Sequence, residues 1–480
     1  MDKTQQYQQK SEISDRQQLK KEFIHLLREH IQKLTDVEEY LILQYGSSFL
    51  GAETQESDYD LILVFKANDL QRIFKDSIDL RKDFFFNSLA QRLIDENKQS
   101  EETLQAVLIS SRIRDIIIQA GVDVEIFKLI LIYVKEWAQQ RKIYGQQYGF
   151  LGGIAWAILV GNIMISYSQD DKVQALLQEP KLRNLNNQGM KIQKKIIKYL
   201  LLKFFKFYSK WEWPNPIIID SHYDEYDQEN QHMLSNFTQL KLNDKKLWNP
   251  ISSVTDSQHL MPILTPKIKQ IGKITNLSVN TAEQVLNSHL QIYQFEFKRA
   301  YNIVKKIYKG KLKLKDLKLE YDSFIRDQQL DPANGYQFAI QIDVLSKTEK
   351  REEESTALQV KYYHQKLFSS VESKLRSLIF QLDTTLNPEN KFQCLIRPLR
   401  CCNEPELIEN DQEYSRTLSS KIYIGLKQSS EDKELGIIDV SIPIECFCFK
   451  AQQIIDDLKF YLIKQEDMFD FQIKVNVLKR

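Results

Sequence analysis

Cysteine is scarce: five in 480 residues (Cys394, Cys401, Cys402, Cys446 and Cys448), all in the last quarter and none in a C-x-x-C. Their number and placement argue against a disulfide framework or a zinc module and fit a reducing compartment. An excess of one charge is lacking too. Lys plus Arg number 66 against 65 for Asp plus Glu, so any nucleic-acid footprint must be local. Met1–Lys10 is polar and Gln-rich, without the apolar core of a signal peptide. Long uncharged apolar runs are missing with one exception, Gly149–Tyr167, where Gly149 and Gly153 even form G-x-x-x-G. Its length, its glycines and Asn162 point to a buried core helix rather than a membrane span. What is present is 42% apolar and 11% aromatic residues, over a length that allows two to four domains with real cores.

The chain is organised around Tyr45–Phe65. Leu41, Ile42 and Leu43 lead into Tyr45-Gly46-Ser47, where glycine tolerates unusual dihedrals and close backbone approach. A short connector through Thr54 then gives Asp58-Tyr59-Asp60 and the apolar run Leu61–Phe65. On a strand Asp58 and Asp60 leave the same face, roughly 7 Å apart at Cα. Two such carboxylates beside a Gly-Ser turn suit ion-assisted phosphoryl chemistry. A bare D-x-D is more often a solvated edge strand; the Gly-Ser turn at this spacing favours the chemical reading. Upstream, Asp15 caps a helix whose Leu19, Phe23, Leu27, Ile31 and Leu34 would pack on the carboxylate-bearing sheet.

Residues 70–96 suggest a second helix, and a third begins near Glu101. Strand signals return at 113–127: Ile116-Ile117-Ile118, then Gly121–Phe127, alternating apolar with acidic. Asp123 and Glu125 would share a face there, so either offers the third carboxylate of a two-ion site; the plain alternative is a half-exposed strand. Next, Ile130, Val134, Trp137 and Ala138 form the apolar face of a helix running to Tyr144. Gly152-Gly153 then opens an apolar helix, leaving free backbone N–H groups where an anion can approach, although a lone Gly-Gly is more often a packing contact. Lys191–Lys210 holds seven lysines and no acid. That pattern reads as a core helix with snorkelling lysines, or as a basic face for RNA or a membrane surface. Prolines break regular structure around Trp248-Asn249-Pro250 and His259–Pro266, and His259, without a second ligand at metal spacing, is structural. Residues 221–245 are polar loop and 320–334 a boundary. Beyond it the order is strand Gln337–Leu345, helix Tyr362–Leu382, strands Phe392–Leu399, Lys421–Leu426 and Gly436–Pro443, and helix Ala451–Lys464, the arrangement of an RNA-recognition-like sheet backed by helices.

Tyr45–Asp60 resembles the G-S-(x)n-D-x-D signature of the nucleotidyltransferase superfamily and, within it, the eukaryotic poly(A) polymerase branch. That family's Tyr-Arg after the Gly-Ser is Ser48-Phe49 here, which removes a basic group near the phosphates. Lys135–Ala157 resembles the family's I-K-L-W-A-x-R-R-x-I-Y-x-N-x-x-G-F-L-G-G-x-x-W-A, with Gln146 for the Asn. His259–Pro266, Asn276–Asn280 and Val371–Arg376 match further family motifs in order. Register from Gly121 puts the family's metal-binding acid at Glu125. The family's connector between that strand and the next helix is absent, being either lost from this protein or dropped in a misjoined gene model.

The resemblance implies an α+β chain: a nucleotidyltransferase palm with a mixed sheet (16–128), a mostly helical central domain (129–330) and an RRM-like RNA-binding sandwich (335–480). It implies AMP transfer from ATP to the 3′ end of single-stranded RNA. Asp58, Asp60 and Glu125 would be catalytic and hold two Mg²⁺ or Mn²⁺ ions. Tyr45, Gly46, Ser47, Thr54, Lys135, Tyr144, Gln146, Gly153 and Ile154 would line the ATP site. Nuclear residence, cleavage and polyadenylation factors as partners, and no membrane association follow from the same likeness. UMP or CMP transfer, and a catalytically impaired RNA- or partner-binding paralogue, are the alternatives.

Overall fold

The computed structural model describes residues 18, 21–29, 31–32, 40–54, 60–65, 99–179, 187–220, 259–266, 268–269, 274–275, 279–318, 336, 338–349, 354–387, 394–400, 406–410, 415–428, 439–461 and 469–479. The expectations for a helix at 70–96, for the loop at 221–245, for Trp248–Pro250 and for Asp58 lie outside them. The chain divides into two compact units, one of residues 1–132 with 266–276 and one of residues 133–265 with 277–480.

In the first unit β1 (Tyr40–Gln44) pairs antiparallel with β2 (Leu61–Phe65), Tyr40 opposite Phe65 and Gln44 opposite Leu61. Between them stands α1 (Gly46–Leu50), ended by Gly51 in the left-handed region at φ 65°. Leu27 and Ile31 bury against Tyr40, Ile42 and Leu61, so the N-terminal helical residues do pack on this sheet. Two helices follow, α2 (Gln99–Gln119) and α3 (Val124–Gln140), the latter continuing past residue 132. A short hairpin, β3 (Ile268–Lys269) with β4 (Ile274–Thr275), completes the unit.

The two strands expected over 113–127 are helix instead. Ile113 and Ile117 are fully buried whereas Ile118 is 50% exposed, a helical stripe rather than strand alternation. At φ 69° Gly121 closes α2, its N–H donating to Ile118 O (2.9 Å) and the Val122 N–H to Ile117 O (3.1 Å), the Schellman arrangement. Two residues on, the Asp123 carboxylate accepts from the N–H groups of Glu125 (2.9 Å) and Ile126 (3.0 Å) and so caps α3. The apolar/acidic alternation is therefore a helix stop followed at once by a helix start.

In the second unit α4 (Gly153–Ser166) is buried along most of its length, as a core helix should be. No helix among the described residues is long and apolar enough to cross a membrane. Among the described residues three more helices follow, α5 (Asp171–Leu177), α6 (Asn187–Tyr208) and α7 (Asn287–Tyr308). Trp137, Trp156, Phe205, Tyr293 and Phe297 interlock around α4, mostly edge-to-face at centroid distances of 4.8–6.3 Å. Buried His259 meets Asn280 through its Nδ1 at 3.0 Å, a structural histidine as expected.

The rest of this unit is β5 (Phe338–Glu349), α8 (Glu354–Leu386), β6 (Cys394–Arg400), β7 (Glu406–Asn410), β8 (Ser415–Gln428), α9 (Ser441–Tyr461) and β9 (Phe469–Lys479). The sheet runs β6-β8-β5-β9, with β7 also on β8, and every pair is antiparallel. Ile340, Ile342, Val344, Ile422 and Ile424 form its buried face, as do Leu367, Val371 and Leu375 on α8. Of the strand expected at 436–443 only residues 439–443 are described, and they open a helix: the Asp439 carboxylate accepts from the Ser441 N–H at 3.0 Å and α9 starts there. Both β7 and β9 are additions to the expected order. Helices and sheet meet at a buried cluster, where Glu296 of α7 binds Arg141 (2.9 Å) and Arg397 of β6 (3.2 Å).

Candidate active site

Within the first unit the Gly-Ser turn is held from three directions. The Tyr45 N–H donates to Asp60 O (3.2 Å), the Gly46 N–H to Ser110 Oγ of α2 (3.0 Å), and the Ala52 N–H to Ser47 O (3.0 Å). Gly46 has φ 60°, and a Cβ there would lie 2.6 Å from Asp60 Oδ2. Glycine is thus required twice, by the backbone and by the carboxylate lying against its Cα. Of the residues expected at this turn, Tyr45, Gly46 and Asp60 come together, Ser47 is half-buried beside them, and Thr54 is buried. Ser48 is not turned to the turn's mouth; it is buried, with Oγ donating to Glu53 Oε1 at 2.7 Å. Arg114, which the sequence did not single out, sets its guanidinium 5.6 Å over the ring of Phe49. A local pattern search could not find it, because it reaches Phe49 from a helix distant in sequence.

Glu125 stands in the first turn of α3, exposed, with Oε1 2.7 Å from Lys128 Nζ. Its expected place on a strand face is corrected, and the geometric ground for counting it a third ligand goes with that strand. Asp123, the other candidate acid, is engaged through Oδ1 as the helix cap. Among the described residues no three carboxylate, histidine or cysteine side chains gather to hold an ion. Of the three expected donors Asp58 lies outside the described residues, Asp60 is at the turn, and the Glu125 carboxylate meets Lys128.

In the second unit the expected nucleotide residues converge on one end of α4. Lys135 is 1% exposed, with Nζ 5.9 Å over the Tyr144 ring. The Tyr144 hydroxyl lies 3.2 Å from where a Gly153 Cβ would be, and the Gln146 amide 3.1 Å from where one on Gly152 would be. Gly152, extended and without a side-chain cap, precedes the first turn of this 14-residue helix, and Ile154 follows half-buried. A phenol and an amide against a helix N-terminus, with a buried ammonium behind the phenol ring, form an environment suited to phosphate. The 143–151 loop is clamped from below: the Tyr293 hydroxyl accepts from the Leu151 N–H (2.7 Å) and donates to Ile143 O (3.0 Å). Under Gly149, at φ 80°, lies the His289 ring, which burial holds neutral by lowering its pKa to about 3.

Residues 126–176 and 193–320 match the family model for the poly(A) polymerase central domain. Over 414 residues the chain is 26% identical to Poly(A) polymerase PAPa of Candida albicans (strain SC5314 / ATCC MYA-2876), covering 78% of this chain and 61% of that protein. It is 30% identical over 302 residues to the poly(A) polymerase of Dictyostelium discoideum, covering 62% of this chain and 28% of the other. A solved structure of a cytoplasmic RNA terminal U-transferase aligns with 65% of this chain and 92% of its own, at 16% identity and a TM-score of 0.38. The chain spans less than two thirds of the length of these curated relatives.

Proposed function

We propose, from the match to the poly(A) polymerase central domain and the likeness to poly(A) polymerases, that the chain is a member of that family and transfers AMP from ATP to the 3′ end of single-stranded RNA without a template. The observation that carries this reading is the convergence of Lys135, Tyr144 and Gln146 on the open N-terminus of α4. In the proposal Lys135 and Tyr144 orient and neutralise the triphosphate, the α4 amides near Gly153 accept its charge, and Gln146 offers an amide to the base edge, with Ile154 beside it. In the first unit Tyr45, Gly46, Ser47 and Thr54 would be the phosphate-contacting residues, and Asp58 and Asp60 the reactive carboxylates. Two Mg²⁺ or Mn²⁺ would be held through Asp58 and Asp60, with Glu125, whose carboxylate pairs with Lys128, as the weakest of the three expected donors. Residues 16–128, 129–330 and 335–480 would act as catalytic, central and RNA-binding domains, in the nucleus and with cleavage and polyadenylation factors.

Single-turnover tailing of an RNA oligonucleotide with ATP tests the proposal. Asp60→Ala should slow it on the order of 10²–10³-fold, by analogy with loss of one preorganised electrostatic group. Glu125→Ala should stay within a few-fold of wild type. Equal rates for wild type and Asp60→Ala would sink the enzyme reading, and competition among ATP, UTP and CTP reads base choice directly.

A further inference from the structure

Opposite the Gly153 end of α4 the second unit carries a cluster of lysines laid over tyrosines. Lys172 Nζ donates to the Tyr308 hydroxyl and sits 4.8 Å over the Tyr199 ring and 5.1 Å over the Tyr308 ring. Lys203 Nζ lies 4.5 Å over Tyr167 and 4.9 Å over Tyr199. The acid in contact is Asp170, which caps α5, accepts from the Tyr199 hydroxyl (3.0 Å) and stands 3.9 Å from Lys203 Nζ. The hydrogen bond to Tyr308 keeps the Lys172 ammonium above its ordinary range.

The surroundings extend this charge. Ring contacts between Tyr199 and Tyr308 and between Tyr208 and Phe297 set α6 and α7 antiparallel. Chain direction then carries the lysine-bearing N-terminal half of α6 past the C-terminal end of α7. From that end the chain leaves through Lys305, Lys306, Lys309, Lys311, Lys313 and Lys315, all exposed, before the next acid, Asp316. In a chain whose charges balance at 66 against 65, so uninterrupted a run is a local feature. Tyr308, 38% exposed, leaves part of a ring face available among the cations. The apolar side of α6 is not available to enter a lipid surface, because Ile196, Ile197, Leu200, Leu201 and Phe204 are buried in the core.

We propose that this lysine–tyrosine end of the helical unit contacts the phosphates of single-stranded RNA upstream of the 3′ terminus, with Tyr308 offering a stacking face. The identity of the polyanion rests on the function proposed above. The surface stands about 20 Å from the Gly153 end, the length of a 14-residue helix. It therefore serves long RNA and is out of reach of a short primer.

The full chain with Lys305→Gln, Lys306→Gln and Lys309→Gln together, all exposed, tests this against wild type and against the same three positions changed to Arg. Binding of a long oligoadenylate, titrated across salt, should weaken about tenfold at low salt in the Gln variant and lose roughly 2 from its log–log salt slope, from about 0.7 per phosphate contact. The Arg variant should keep both, and tailing of a short primer should be equal in all three. Wild-type affinity and slope in the Gln variant would overturn the inference. So would capture of wild type by phosphatidylserine vesicles without affinity for the RNA. If tailing is absent from every protein but the Gln variant still binds RNA more weakly, the surface stands and only adenylyl transfer falls.

Discussion

Replacing Glu296 by Gln should be among the most destabilising single changes this chain can undergo. Its carboxylate is fully buried and accepts from Arg141 Nε (3.0 Å) and Nη2 (2.9 Å), Arg299 Nε (2.8 Å) and Arg397 Nη2 (3.2 Å). Burial alone would raise its pKa; the Arg141 hydrogen bonds and the charges of Arg397, Arg141 and Arg299 outweigh that and lower it to about 2. Removing the one negative charge leaves three guanidinium groups together, two of them less than a tenth exposed. Breaking a buried pair costs about 3–5 kcal/mol, and since the Gln oxygen still accepts one bond the lower end, about 3 kcal/mol, is expected. Urea unfolding followed by tryptophan fluorescence reads this, because Trp137 stacks on Phe297, the neighbour of Glu296, at 5.8 Å. Adding Arg397→Met removes one stranded cation, so the double variant should be less destabilised than the sum of the singles by about 1.5 kcal/mol or more. The sign with pH is fixed as well: this contribution is complete above the ordinary value of 4.5 and disappears as pH falls through about 2. Arg397 Nη2 also donates to Arg141 O (2.8 Å), which fixes the turn between Lys135 and Tyr144, so KM for ATP should rise with the loss of stability. A change below about 1 kcal/mol, or strict additivity with Arg397→Met, would refute the account.

Gly46→Ala should abolish tailing as fully as Asp60→Ala while costing only about 1–2 kcal/mol in urea, since a left-handed φ and a 2.6 Å overlap with Asp60 Oδ2 both oppose it; near-normal tailing would contradict the packing described. Buried His289 and His364 are held neutral with values lowered by burial to about 3 and about 4, so the unfolded chain alone takes up their protons below the ordinary 6.5. Stability should therefore fall by about 2 kcal/mol per histidine from pH 7 to pH 5, and His364→Asn should remove about half of that slope; identical urea midpoints at the two pH values would exclude it. Asp123→Ala should cost about 1 kcal/mol through loss of the α3 cap and leave the tailing rate per folded molecule unchanged. A variant of full stability without activity would instead mark Asp123 as a site carboxylate.

What the sequence made legible is what lies close together in it. Lys135 through Ile154 is one stretch of helix, turn and helix, so spacing alone sets most of the geometry that brings Tyr144 to Gly153 and Gln146 to Gly152. The same holds for Gly46, whose unusual φ was anticipated from its neighbours, and for the core helix α4. The Glu296 cluster was invisible because its partners are 155 and 101 residues away. Edge strand β9 was missed for a related reason: its register is set by β5, more than a hundred positions earlier. At Ser441 the signals were present but outweighed: Asp439 as cap and Pro443 in the first turn mark a helix start, while the β-branched residues before them resemble a strand.

The segment at 121–131 is where the expected strand and the observed helix part company for local reasons. A strand ending at Phe127 would leave Lys128–Ile130, three residues, to turn the chain and begin a helix with no capping side chain among them. Starting the helix at Val124 instead uses Asp123 as cap and places Ile126, Phe127, Ile130, Leu131 and Val134, all buried, on one stripe running into Trp137. Local capping and apolar period thus agree on helix, and Glu125 is carried onto the exposed side with Lys128 as its partner. The identity of the third acid and the length of this connection are for that reason one question. Restoring a connector after Phe127 should free residues 121–127 to extend, whereas changing Glu125 alone leaves the helix, and Asp60's surroundings, as they are.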